Sequence, residues 1–236
     1  MGIRLQFIGL VGSGKSYLSA SLATEVNGEV IPFAREVYRL ATLAKGGPVS
    51  KLLATDRELL KAIGTDWGRE ARILAPELEA ILQKHKPREW GTEDIWAKIF
   101  IKECNNLPSD VPIFNDDTRF ANEIKIAVRE AGFIPFFVSC TPETRAYRLS
   151  ERGDEVDANN PAHKSEKLAN ILAEKVMDHD LMPVVWNDSA DQKPDVPWVI
   201  TVEHLTRLVV RSKGNNEIAE ALHWDFRKLE AILISD

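Results

Sequence analysis

Cysteine is scarce: Cys104 and Cys140 are the two in 236 residues. Two thiols with no C-x-x-C spacing make neither a disulfide framework nor a zinc site, so both are expected to be reduced. Methionine and tyrosine, three of each, are also sparse. No apolar run approaches the roughly 18 residues of a membrane span. The first residues, MGIRLQFIGLVGSGKS, carry no signal-peptide cleavage pattern. Positive charge is not in excess, since 30 Lys and Arg face 36 Asp and Glu, a net charge of -6. That balance disfavours a protein that coats nucleic acid through bulk charge. The acidity is local. Residues 151–200 hold five Lys and Arg against eleven Asp and Glu, and the first 150 residues are close to neutral. No internal repeat or low-complexity tract is present. With 44% hydrophobic and 28% charged residues, the chain has the makings of a folded domain.

What is present is an alternation of strands and helices. Ile3–Ile8, Glu29–Phe33, Val111–Asn115, Phe133–Cys140, Pro183–Asn187 and Trp198–Val202 read as strands. Lys15–Val26 carries Leu18, Leu22 and Val26 at the spacing of a helix face. Residues Ala34–Lys45, Ser50–Ile63, Pro76–His85 and Asp94–Asn105 are helical in pattern. A helix follows Phe120, and another starts at Thr141-Pro142, with threonine as N-cap and proline in the first turn. Asn215–Ile234 reads as one terminal helix. Arg152–Pro161 reads as a polar, acidic loop. This order predicts an α/β fold with a largely parallel central sheet in three layers, with a helical insertion over about 34–105.

The sharpest motif is Gly9-Leu-Val-Gly12-Ser13-Gly14-Lys15-Ser16, the phosphate-binding loop G-x-x-x-x-G-K-[ST]. An apolar strand precedes it and a helix follows. Glycines let successive N–H groups turn inward toward phosphate oxygens, and the helix N-terminus adds partial positive charge. Lys15 is expected to reach the β- and γ-phosphates of ATP, and Ser16 to ligate Mg²⁺. Gly9, Gly12, Ser13, Gly14, Lys15, Ser16 and Tyr17 form the expected ATP-binding set. Arg145 and Arg148 in TPETRAYRLSERGDE join it as lid arginines, with Arg152 near the same helical face. Ala146, Leu149 and Gly153 form the opposite row in this reading.

Two further clusters point to a small kinase. Gly64-Thr65-Asp66-Trp67-Gly68-Arg69 reads as a tight turn with an arginine able to grip an anion bidentately. Trp67 is placed to stack on a base. Asn115-Asp116-Asp117-Thr118-Arg119-Phe120-Ala121-Asn122-Glu123 lies at the carboxyl end of the third strand, where open α/β sheets bind ligands. Asp117 suits Mg²⁺ or an acceptor oxygen, and Arg119 suits phosphate. Either aspartate alternatively caps the next helix.

Together with Phe33-Ala34 and His163-Lys164-Ser165-Glu166, these clusters resemble successive motifs of the bacteriophage-type deoxynucleoside monophosphate kinases. The resemblance covers about residues 3–190. It departs at Arg35-Glu36, where the family often has aspartate and proline, and at Ala121, where proline is common. It implies ATP- and Mg²⁺-dependent phosphoryl transfer to a deoxynucleoside monophosphate, by a kinase domain over 1–190 with a lid at about 142–165. It implies catalytic roles for Lys15, Asp117 and Arg148, with metal contacts from Ser16 and Asp117. Acceptor contacts fall to Phe33, Arg35, Thr65, Trp67, Arg69, Arg119, Asn122 and Glu123. Residues 191–236 are expected to be a C-terminal helical extension serving packing or dimerisation. The remaining expectations are a cytoplasmic protein (host cytoplasm if phage-encoded), a homodimer, and no nucleic-acid or membrane partner. The rival readings are a small kinase with another acceptor, such as dephospho-coenzyme A or a sugar acid, and a non-enzymatic nucleotide-binding module.

Overall fold

The structure is a computed structural model and describes residues 2–50, 53–151, 164–177, 180–189 and 192–233. Its core is a six-stranded sheet in the order β2-β3-β1-β4-β5-β6. The strands are β1 Arg4–Ile8, β2 Glu29–Val30, β3 Ile113–Asn115, β4 Ile134–Ser139, β5 Val184–Trp186 and β6 Val199–Thr201. Every pairing is parallel. A parallel sheet needs both faces covered, and these strands are accordingly apolar on both sides. Leu5, Phe7, Phe136, Val138, Val185 and Ile200 face one core, with Leu18 and Leu22 of helix α1 (Lys15–Val26). Ile8, Phe137, Val184, Trp186 and Val199 face the other, with Ile124 of helix α6 (Ala121–Ala131). The period of two along each strand thus builds the three layers predicted from the sequence.

Two compact units divide the chain. The first comprises residues 1–31 and 107–236 and holds the whole sheet; the second is 32–106. The second contains α2 (Arg35–Lys45), α3 (Ala54–Lys61), α4 (Pro76–Leu82) and α5 (Ile95–Asn106). Its core gathers Val37, Leu40, Ile63, Trp67, Leu82, Ile95 and Trp96. The expected helical insertion coincides with this unit.

The C-terminal residues do not form a separate extension. Strand β6 completes the sheet, and α9 (Val202–Arg211) buries Leu205 and Val209 in the same core as Leu5. The helix α8 (Lys164–Lys175) supplies Leu168 and Leu172 to the opposite core. Neither α8 nor α9 is among the helices expected above. The single terminal helix is two, α10 (Asn215–Ala221) and α11 (Phe226–Leu233), with His223 at φ 49° between them. Asn215, the first residue of α10, fixes that helix to β1. Its Oδ1 accepts from the Arg4 N–H at 2.8 Å, and its Nδ2 donates to the Arg4 carbonyl at 3.0 Å and to that of Gly132. The chain's end is therefore tied to its first strand.

Expected strand β2 ends early, at Val30, because Pro32 has no N–H to continue a ladder. Among the described residues, no helix is long and apolar enough to cross a membrane.

Candidate functional site

Strand β1 is central, with β3 on one side and β4 on the other. The chain therefore reverses its direction of winding at β1, and the loop leaving it opens at the sheet's switch point. That loop is Gly9–Gly14. Gly9, Gly12 and Gly14 have φ of 153°, 84° and 91°. These values exclude ordinary side chains, which accounts for glycine at all three positions. The space is also closed. A Cβ at Gly9 would lie 2.4 Å from the Val138 carbonyl oxygen, and one at Gly12 2.9 Å from Arg145 Cγ. Gly14 is the N-cap of α1 and has no side-chain cap. The Lys15 ammonium folds back and donates to the carbonyls of Gly9 at 2.6 Å and Leu10 at 2.9 Å. Ser13 is buried, while Ser16 and Tyr17 are exposed at the start of α1.

Helix α7 (Pro142–Glu151) forms the rim of the loop. Its N-cap is Thr141 as expected, with the hydroxyl accepting from the Thr144 N–H at 3.2 Å. Arg145 and Leu149 both meet Gly12. Leu149 therefore lies on the arginine side of α7, not opposite it, and is buried there. Arg148 donates through Nη1 to the Ser13 carbonyl at 3.2 Å and through Nη2 to the Asn187 carbonyl at 2.9 Å. Arg152 and His163 lie outside the described residues.

The corner after β5 completes the rim. Asn187 Nδ2 donates to the Ser13 carbonyl at 2.8 Å. Asp188 accepts from the Thr141 N–H at 3.0 Å and its hydroxyl at 2.7 Å. Burial opposes charge on Asp188, but the hydrogen bonds from Thr141, Thr144 and Ser189 outweigh it and hold the carboxyl well below the usual carboxylate range. Burial pushes the Cys140 thiol up, against the pull of Arg148, Arg145 and Lys15. It is therefore protonated at neutral pH, and both cysteines are free thiols. An open pocket of about 460 Å³ lies beside this corner, lined by Arg148, Trp186, Asn187, Asp188, Thr201 and Glu203 among others. Asn187 and Asp188 were not among the expected site residues.

The Asn115–Glu123 cluster falls at the end of β3, the neighbour of β1. Asn115 pairs in register with Gln6 at the last position of β3, and Asp117 follows two residues on. Asn115 is fully buried and satisfied. Its Nδ2 donates to the Ile31 carbonyl at 2.9 Å and to Asp117 Oδ1 at 3.1 Å, and its Oδ1 accepts from Thr118 at 2.8 Å. Arg119 is exposed and Asn122 half-buried. Glu123 is buried and turned back on its own helix. Its Oε2 accepts from the backbone N–H groups of Arg119 at 2.8 Å and Phe120 at 3.1 Å. Glu123 thus holds the head of the helix.

In the second unit, Gly64–Trp67 belongs to a π-helical turn, Ala62–Trp67, that continues α3; it is not the tight turn expected. Such wide turns recur at functional sites. The Gly64 carbonyl accepts from the Trp96 indole at 2.7 Å and from Arg69 at 3.3 Å. Thr65 and Arg69 are half-buried. Trp67 is fully buried, edge-on to Trp90, and offers no free face to a base. Phe33 is buried against Phe100, with ring centroids 4.3 Å apart. Arg35 is exposed, with its Nε 3.8 Å from Glu103.

Among the described residues, no three His, Cys, Asp or Glu side chains gather as a metal cage. No family model matches the chain, and no curated protein does. Solved structures similar to it include shikimate kinase from Acinetobacter baumannii in complex with shikimate, at 12% identity, covering 89% of this chain and 92% of that one, TM-score 0.40. A sugar kinase from Janibacter, unliganded, is 12% identical over 97% of this chain and 98% of its own, TM-score 0.36. Shikimate kinase from Aquifex aeolicus is 16% identical over 94% and 96%, TM-score 0.37. At these scores the likeness says nothing of its own about substrate or reaction.

Proposed function

We propose that this chain transfers the γ-phosphoryl group of ATP to a deoxynucleoside 5′-monophosphate. The observation that carries the reading is the glycine loop at the end of the central strand, with Lys15 folded onto its carbonyls and two arginines of α7 at its rim. Three positive-φ glycines let backbone N–H groups turn toward bound phosphate oxygens. A polyphosphate draws Lys15 from the carbonyls of Gly9 and Leu10, because a charged oxygen is the stronger acceptor. The pocket beside Arg148 and Asn187 then takes the nucleoside.

Phosphoryl transfer asks for in-line placement and charge compensation. Lys15 and Arg148 neutralise charge on the transferred group as its bond to the β-phosphate oxygen breaks. An acceptor phosphate oxygen attacks phosphorus without a general base, since it is already anionic. A Mg²⁺ ion keeps most of its waters and needs only one or two protein oxygens beside the phosphates; the Ser16 hydroxyl and the Asp117 carboxylate fit that set. When bound, it supplies further neutralisation of the phosphate oxygens.

The choice of acceptor rests on the sequence motifs. In the second unit they assign Arg35, Thr65 and Arg69 to the nucleotide acceptor. In the first, Arg119 is the exposed cation at the head of α6, with Asn122 beside it. Phe33, Trp67 and Glu123 are assigned structural roles, since their polar or ring surfaces are already engaged within the protein. The test is coupled ADP release with ATP, Mg²⁺ and a panel of deoxynucleoside and ribonucleoside monophosphates, with shikimate and sugar acids alongside. Turnover confined to one or more deoxynucleotides is expected. Turnover only with a non-nucleotide acceptor replaces this reading with that of another small kinase.

A further inference from the structure

We infer that Asn187 is a positioning residue that sets Arg148 against the phosphate loop, so that the arginine is ready for a terminal phosphate. The inference rests on the ATP-binding part of the proposed function. Three polar groups close on one another here. The Ser13 carbonyl accepts from Arg148 Nη1 at 3.2 Å and from Asn187 Nδ2 at 2.8 Å, which uses both of its lone pairs. Arg148 Nη2 returns to the Asn187 carbonyl at 2.9 Å. Asn187 thus contacts the guanidinium through its backbone and shares an acceptor with it through its side chain.

The asparagine is itself held from both sides. Its N–H donates to the Ser139 carbonyl at 2.8 Å, which extends the β4–β5 ladder by one bond. The next residue, Asp188, grips Thr141 at the head of α7. One two-residue corner therefore joins the end of β5, the N-cap of the arginine helix and the phosphate loop. The loop is shaped to admit it. A Cβ at Gly14 would lie 2.1 Å from Asn187 Nδ2, so Gly14 is small for the asparagine as well as for its own φ of 91°. Groups held on sheet ends and cross-braced by neighbours keep the tight geometry that charge compensation requires.

A double-mutant cycle on the full chain tests this, reading the dissociation constants of Mg·ATP and Mg·ADP without acceptor. Asn187→Ala keeps the backbone carbonyl that Arg148 meets and loses the side-chain bond to Ser13, so it is expected to weaken Mg·ATP binding about fivefold, the scale of one lost neutral amide–carbonyl hydrogen bond. Mg·ADP, which lacks the phosphate that Arg148 meets, is expected to weaken less than about twofold. In an Arg148→Ala background, Asn187→Ala should change neither. Equal losses for ATP and ADP would mean a general loosening of the loop and overturn the inference. So would additive losses, or no loss. Where Asn187→Ala does not fold, Asn187→Ser, which keeps a short donor, is read in the same cycle with a smaller expected loss. A wild-type chain that binds Mg·ATP but transfers to no monophosphate defeats the acceptor assignment alone, and the cycle still decides on Asn187. A wild-type chain that binds no Mg·ATP defeats both.

Discussion

At the residue scale, side chains that look alike in the sequence have separate jobs. Lys15 donates to two carbonyls of its own loop and packs in neither core. Lys15→Ala is therefore expected to leave the melting temperature nearly unchanged. It should lower turnover by at least about 10²-fold, the usual cost of removing one preorganised charge from a transition state. Coupled ADP release and thermal unfolding on the same sample check both halves. Glu123 is the converse case. Its carboxylate serves two backbone N–H groups at the head of α6 and is buried. Glu123→Ala should cost about 1–2 kcal/mol of stability, as for a lost helix cap. Urea unfolding measures that loss, and kcat of the folded fraction should stay within about twofold, less than about 0.4 kcal/mol of barrier.

At the element scale, the corner after β5 braces α7 to the sheet, and its chemistry gives a pH signature. Asp188 titrates well below an unfolded aspartate, whose pKa is about 3.9. A depressed carboxyl stabilises the fold fully above the unfolded value and loses that contribution as pH falls toward the folded one. The stability gap between wild type and Asp188→Asn should therefore be constant from about pH 5 to 8 and close below about pH 4. Denaturant midpoints across that range measure it. A gap that closes near neutral pH would assign the effect to another group.

How far the sequence goes is also clearest among the elements. The phosphate loop was legible because three left-handed backbone positions demand glycine in fixed spacing. The parallel strands were legible because burial on both faces leaves unbroken apolar runs. Helix α9 was within reach: Thr201 caps it by accepting from the His204 N–H, and Leu205, Leu208 and Val209 follow at helical spacing. The preceding strand Val199–Thr201 runs into it without a glycine or proline and hides the boundary. The break between α10 and α11 also lacks such a marker, since His223 supplies the left-handed turn. Trp67 beside Arg69 resembles a stacking platform locally; only the packing of α2, α5 and their neighbours reveals it as core. Asn187 was illegible for a different reason. Its partner Ser13 is 174 positions away, and a lone asparagine at a strand end carries no spacing rule.

At the scale of the whole molecule, the sheet belongs to one unit and the helices of residues 32–106 to another. Replacing residues 32–106 by a short Gly/Ser linker should leave a cooperatively folding chain that still binds Mg·ATP, because every strand and the whole phosphate loop remain. Ending the chain at residue 190 should do the opposite. It removes β6, the buried Leu205 and Val209, and the Asn215 clamp on Arg4. Circular dichroism and nucleotide binding on the two shortened chains are expected to separate them cleanly. Survival of the chain ending at 190 would return residues 191–236 to the status of an appendage.

The clamp from Asn215 to Arg4 spans 211 positions of sequence. Such distant closure slows folding, because loop entropy is lost before the contact repays it. During synthesis, β1 and the phosphate loop emerge well before their buried neighbours on β4, β5, β6 and α9. The glycine loop is made early and is packed late. Until then its apolar strand exposes the kind of surface that chaperones hold.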